Sequence, residues 1–258
     1  ASSGGTLQTA TAGDDTLRIG VNAGDAIASG GDKNVILGDD AGTAMTTGNR
    51  NVAVGYKAME AAVAADLNTA IGYQALKVMT PSSGSVDMYN TAVGYNAGVV
   101  LETGTANTFV GALAGDGNDD GANNTAVGLS ALSANCGDNN TAVGMQSLLS
   151  ATGSLNTALG KDSGYFNTGA SNTFLGASTG VYATSADYST FIGWRAGQGI
   201  NGVRLTGNNN TAVGKDAGLL LQGLANANTL LGATAGDNIT SGDSNIIIGN
   251  GIDAASAT

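Results

Sequence analysis

Histidine is absent from this chain of 258 residues, proline occurs once (Pro81) and cysteine once (Cys136). Without histidine the usual Ser-His and Cys-His nucleophiles cannot be assembled. One cysteine makes no disulfide within the chain. Charged residues are few, at 11%, and the nine basic ones are outnumbered by twenty acidic ones, for a net charge of −11. Such a surface repels phosphate backbones, so nucleic-acid binding is not expected. No run of eighteen apolar residues occurs, so no segment is read as a membrane span. The chain opens at Ala1 with no signal-peptide pattern and reads as a piece of something longer or as a processed product. What is plentiful is glycine, with 42 residues, and aliphatic content sufficient for a core. Disorder is therefore not expected, and glycine without proline points to many tight turns.

The phrase Asn-Thr-Ala-Val-Gly, or a near variant, recurs along the chain. Its closing glycines are Gly20, Gly38, Gly55, Gly72, Gly94, Gly111, Gly128, Gly144, Gly160, Gly176, Gly193, Gly214, Gly232 and Gly249. These fourteen anchors are spaced 16 to 18 residues apart, except for 22 before Gly94 and 21 before Gly214. The period is too short for a helical hairpin repeat and suits one coil of a β-solenoid. The expected fold is therefore all-β: a parallel β-roll or β-helix of about 14 coils of about 17 residues. It runs as a single repeat domain over 15–258, after an N-terminal lead-in of 1–14.

The columns of the repeat assign faces. The residue before the anchor is aliphatic in all fourteen coils, from Ile19 through Val127 and Val213 to Ile248. That column is read as core. Side chains alternate along a strand, so the residue two earlier shares its face. It is usually Thr, as in Thr69, Thr125 and Thr211, and exchanges with Leu17, Val35, Val52 and Ile246. These threonines are accordingly expected to be buried. The column between, mostly Ala with Phe109, Phe174 and Phe191, then faces outward, where other copies of the chain would cover it. Asn opens the phrase in twelve coils, Thr16 and Ser189 being the exceptions. Stacked coils would bring these amides into a hydrogen-bonded ladder. The anchor glycine supplies a positive φ or a close backbone approach.

Asn51 to Ala58, "NVAVGYKA", resembles the coil signature in the head domain of trimeric autotransporter adhesins. The commoner form, as in Asn68 to Leu76 and Asn90 to Gly98, is similar to repeat arrays of phage tail-fibre-like proteins. The likeness covers about residues 15 to 253. Two departures stand beside it: the coil is about 17 residues and not about 14, and no coiled-coil stalk or membrane anchor is present. The resemblance implies a homotrimeric fibre, extracellular, at a cell surface or borne on a virion.

Several residues could carry recognition. Tyr56, Tyr73 and Tyr95 follow the anchor in three successive coils, and Trp194 occupies the same column later. They read as a ladder covering a corner, or as a platform for sugar rings. The loops from Lys77 to Met88 and from Gln198 to Leu205 expand two coils, and expanded loops are places for distinct recognition. The second is flanked by Arg195 and carries Arg204. Asp116, Asn118 and Asp120 match the first half of an EF-hand loop, with Val127 where the bidentate Glu belongs. A polar turn and a calcium site are the two readings, and no other cofactor is indicated. The carboxylate pairs Asp39/Asp40 and Asp119/Asp120 are sequence neighbours, which usually point apart.

The leading functional expectation is a non-enzymatic, structural and adhesive fibre segment presenting loops to a cell-surface glycan or protein receptor. An ice-binding solenoid is the alternative, drawn from the Thr columns. A tailspike-like polysaccharide-cleaving enzyme is the third, because different coils could supply two facing carboxyls.

Overall fold

A computed structural model describes residues 7–8, 15–27, 30–81, 84 and 86–253. The chain is an all-β parallel β-solenoid, with no helix among the described residues. Its contacts divide it into two units, Ala1–Ser130 and Ala131–Thr258.

In the first unit, Leu17–Ile19, Val35–Leu37, Val52–Val54, Thr69–Ile71, Thr91–Val93, Thr108–Val110 and Thr125–Val127 stack in parallel. The register is exact from coil to coil, Thr69 opposite Thr91 and Ala70 opposite Ala92. Leu7–Gln8, within the lead-in, pairs antiparallel with the first of these strands. The coil enlarged before Gly94 adds a small second sheet, in which Ala65–Asp66 pairs with Val86–Asp87. In the second unit the stack is Thr141–Val143, Thr157–Leu159, Thr173–Leu175, Thr190–Ile192, Thr211–Val213, Thr229–Leu231 and Ile246–Ile248.

Corners are built from left-handed residues. Lys57, Gln74 and Asn96, each two residues past an anchor, have φ of 58°, 54° and 53°. An ordinary L-residue loses about 1–2 kcal/mol in that region. The stack holds them there, because each N–H donates to the preceding coil: Lys57 to the Asp39 carbonyl at 3.1 Å, Gln74 to Tyr56 at 2.9 Å, Asn96 to Tyr73 at 2.9 Å. The anchors obey a harder constraint. Their φ runs from 122° to 145°, and a Cβ on Gly72 would sit 2.2 Å from the carbonyl oxygen of Gly94 in the next coil. Only glycine satisfies both conditions.

The asparagines form the expected ladder inside the coil. Asn68 donates its backbone N–H to Asn51 Oδ1 at 2.9 Å, and its Nδ2 reaches the same oxygen at 3.1 Å. Asn51 Nδ2 caps the carbonyl of Ala65 at 2.8 Å. The amides thus satisfy backbone groups of the corner that water cannot reach. Ser189 interrupts the ladder yet still donates its N–H to Asn172 Oδ1 at 2.9 Å.

The two faces of the strands are the reverse of the sequence-based expectation. Ala92, Phe109, Ala126, Ala142, Ala158, Phe174 and Phe191, expected to face other copies, are fully buried inside the coil. Ile19, Val127, Val213 and Ile248, expected to be core, point outward and are half-buried or exposed. Thr69, Thr125 and Thr211 are likewise half-buried on the outer face. The reason is space. The interior column faces the residues three and four past the anchor, and that gap admits one large side chain per pair. Phe109, Phe174 and Phe191 each lie over a glycine, namely Gly115, Gly180 and Gly197. Ala126 and Ala142 occur in coils where Leu132 and Leu148 fill that place instead, both fully buried. An interior of such narrowness is filled by alternating large and small partners, and the branched Thr, Val and Leu side chains go outside.

Candidate functional site

The outer strand face is the most regular surface of the molecule. In each unit it presents two parallel columns, Thr (or an aliphatic residue) and, two residues on, an aliphatic side chain. Successive rungs lie about 4.8 Å apart. Leu159 and Leu231 are each 46% exposed and Ile248 is 66% exposed. No residue of either column is buried.

Tyr56, Tyr73 and Tyr95 do form a ladder, in the first unit. Tyr56 and Tyr73 stack with centroids 5.4 Å apart, Tyr73 and Tyr95 with 5.2 Å and only 12° between their planes. All three are exposed, Tyr95 at 53%. In the second unit Trp194 is exposed and flanked by cations: the Arg195 guanidinium lies 4.1 Å and Lys215 Nζ 5.4 Å from its centroid. Arg195 is also fixed by a 2.7 Å hydrogen bond from its Nε to Asp216 Oδ1. Its geometry is therefore set by a buried carboxylate, and its remaining N–H groups sit beside the indole. Arg204, exposed, lies over another ring, with its guanidinium 5.0 Å from the centroid of Phe166.

That ring and its neighbours were missed by the sequence reading. Tyr165 packs edge-on against Phe166 at 4.4 Å, and Phe166 stacks with Tyr182 of the following coil at 5.7 Å and 19°. The available signal was an aromatic column six residues past the anchor in two successive coils.

The expanded loops differ in kind. Met88, in the first, is buried core, and Lys77 pairs with Glu60 at 3.5 Å. The second turns back on itself, with Ile200 bridged antiparallel to Val203, and Leu205 continues the coil by parallel bridges to Ala183 and Gly223.

Asp116, Asn118 and Asp120 differ in exposure. Asn118 is fully buried, its Nδ2 donating to the Gly121 carbonyl at 3.1 Å and its Oδ1 accepting the Gly121 N–H at 3.0 Å, whereas Asp120 is exposed. Among the described residues no group of three or more acidic or cysteine side chains is arranged to hold a metal ion. Asp39 and Asp40 serve the coil contact, accepting from the Val21 N–H and from Asn22 Nδ2, both at 2.9 Å. One carboxyl pair does meet across coils. Asp237 is held above the usual carboxylate range by burial and by a hydrogen bond shared with Asp253. Direct hydrogen bonding is closer than the roughly 5–5.5 Å between the carboxyls of a retaining glycosidase.

Comparison with protein-family models, with curated proteins and with solved structures finds no match to this chain.

Proposed function

We propose that this chain is a structural segment of a fibre, extracellular, at a cell surface or on a virion, that associates with two further copies of itself through the Thr and aliphatic face. The observation that carries this is the outward column before the anchor, aliphatic in all fourteen strands. Fully burying a Val or Leu side chain contributes about 1.5–3 kcal/mol. In the first unit Leu37, Ile71 and Val110 are 40%, 39% and 37% exposed and the other four are half-buried, so covering the seven gains at most roughly 4–8 kcal/mol. A contiguous apolar column is also uncommon on a monomer. The number three comes from the resemblance of the coil signature to trimeric adhesin heads. The aromatic corners and the hairpin at Ile200 to Val203 then remain free to meet a cell-surface glycan or protein. Catalysis has no part in this reading.

Light scattering coupled to size exclusion tests it. The expected mass is that of three chains, and exchanging Val110 and Val127 together for Glu should give monomers whose coil interior is unchanged. A stable monomer of the unmodified chain at micromolar concentration would overturn it. Ten outward threonines at regular rungs favour a second reading, ice binding. A rigid array of hydroxyls and methyls can order water into a lattice. A monomer that depresses the freezing point of water without depressing its melting point would establish that reading in place of the fibre.

A further inference from the structure

A second surface of the Ala131–Thr258 unit has the make-up of a ligand site. It is an open groove of about 320 Å³ whose lining includes Gln146, Asp162, Tyr165, Phe166, Tyr182 and Gln198. That volume is at the lower end of small-molecule sites, about 300–1,000 Å³. The residues come from four successive coils. Gln146 and Asp162 stand two places past their anchors, in the left-handed corner with φ of 57° and 56°. Gln198 and the aromatics stand five or six places past theirs, across the groove. The corner geometry therefore repeats the same two walls in every coil, and the sequence fills them here with amides, a carboxylate and rings.

Three features select the ligand. The lining has an aromatic side, where Phe166 and Tyr182 stack at 5.7 Å and 19°. Asp162 lines the wall, with Oδ1 buried and Oδ2 paired with Lys161. An ionised carboxylate with one charged partner keeps acceptor capacity for a further donor. Gln146 and Gln198 can donate and accept, and the Arg204 guanidinium, over Phe166, adds donors at the rim. A ligand meeting all of these has an apolar C–H face and several hydroxyls that both donate and accept. The carboxylate in the wall and the net charge of −11 favour a neutral ligand over an anion.

We infer that this groove binds a neutral hexopyranose unit of a glycan, with the sugar's C–H face against the aromatic side of the groove and a hydroxyl donating to the exposed part of the Asp162 carboxylate. The site lies within one chain and does not rest on the fibre assembly, so it stands or falls separately. Titration calorimetry with cellotetraose, maltotetraose, mannotetraose and chitotetraose, and with tetragalacturonate as the anionic counterpart, tests it on the full chain. At least one neutral tetrasaccharide should bind with a dissociation constant below about 10 mM. Tyr182→Ala and Gln198→Ala should each weaken that binding about tenfold. Circular dichroism melting of both variants should stay close to that of the unmodified chain, which separates a lost contact from a lost fold. Silence from all four neutral sugars, a preference for tetragalacturonate, or binding that survives both substitutions would overturn the inference.

Discussion

Phe174 offers the sharpest test of the inverted faces. Its ring is fully buried, so Phe174→Ala should cost about 3–5 kcal/mol of unfolding free energy. The ring occupies the space of two glycines: a Cβ on Gly164 would lie 2.7 Å from Cδ2, and one on Gly180 would lie 2.3 Å from Cε1. Gly180→Leu alone must therefore overpack the coil, at about 1–3 kcal/mol, and add about 1–2 kcal/mol for its left-handed φ. Together the two changes recreate the pairing that Ala142 and Leu148 already make. Leu148 holds φ 50° at the position where Gly180 has φ 54°, so the backbone accepts the leucine. The leucine refills the cavity, and the double variant should lose only about 1–3 kcal/mol. The singles sum to roughly 5–10 kcal/mol, which makes the expected coupling about 2 kcal/mol or more. Chemical denaturation of the four proteins measures this directly. If the single changes add to within about 0.5 kcal/mol, these side chains do not share an enclosed space, and the interior column is assigned wrongly.

Asn51→Ala removes a buried rung, depriving the Ala65 carbonyl and the Asn68 N–H of partners at 2.8 and 2.9 Å. At about 1–3 kcal/mol per stranded group the loss is about 2–6 kcal/mol, and unchanged denaturation would contradict the ladder. Asp237 titrates in the opposite sense from a salt-bridged carboxylate. Its folded pKa lies above the ordinary 3.8, so the contribution of the Asp237 and Asp253 pair is complete below that pH and is lost as pH rises through the raised value. Asp237→Asn should thus gain melting temperature relative to the unmodified chain as pH increases, and a difference constant across pH would refute the shared proton.

How far the sequence reaches is clearest at two columns. The period, the anchor glycines and the Asn ladder follow from simple demands, because each concerns what a coil must do to lie on its neighbour. A φ near 140° and a carbonyl 2.2 Å from a Cβ leave glycine alone at Gly72, whatever surrounds it. Which strand face is inside is a different matter. Alternation separates the two columns but does not orient them, and here both are apolar. Aliphatic bulk is a poor guide when the enclosed space is too narrow for it. The orienting signal was compensation between columns: Phe109 with Gly115 and Phe191 with Gly197, against Ala126 with Leu132. Only side chains that compete for one volume need to compensate.

The same argument explains what could be read of the surface. Tyr56, Tyr73 and Tyr95 were legible because they repeat in register with the anchor, and parallel stacking turns any repeated column into a ladder. Arg204 and Phe166 were not, since 38 residues of sequence and the enlarged coil before Gly214 separate them. Stacking of successive coils around that expansion brings the guanidinium to 5.0 Å from the ring. In a solenoid the regular columns determine assembly, while the departures from period determine which distant side chains meet. The enlarged coil can therefore be shortened without loss of the strand register, and what it should remove is the cation over Phe166, a change confined to the groove.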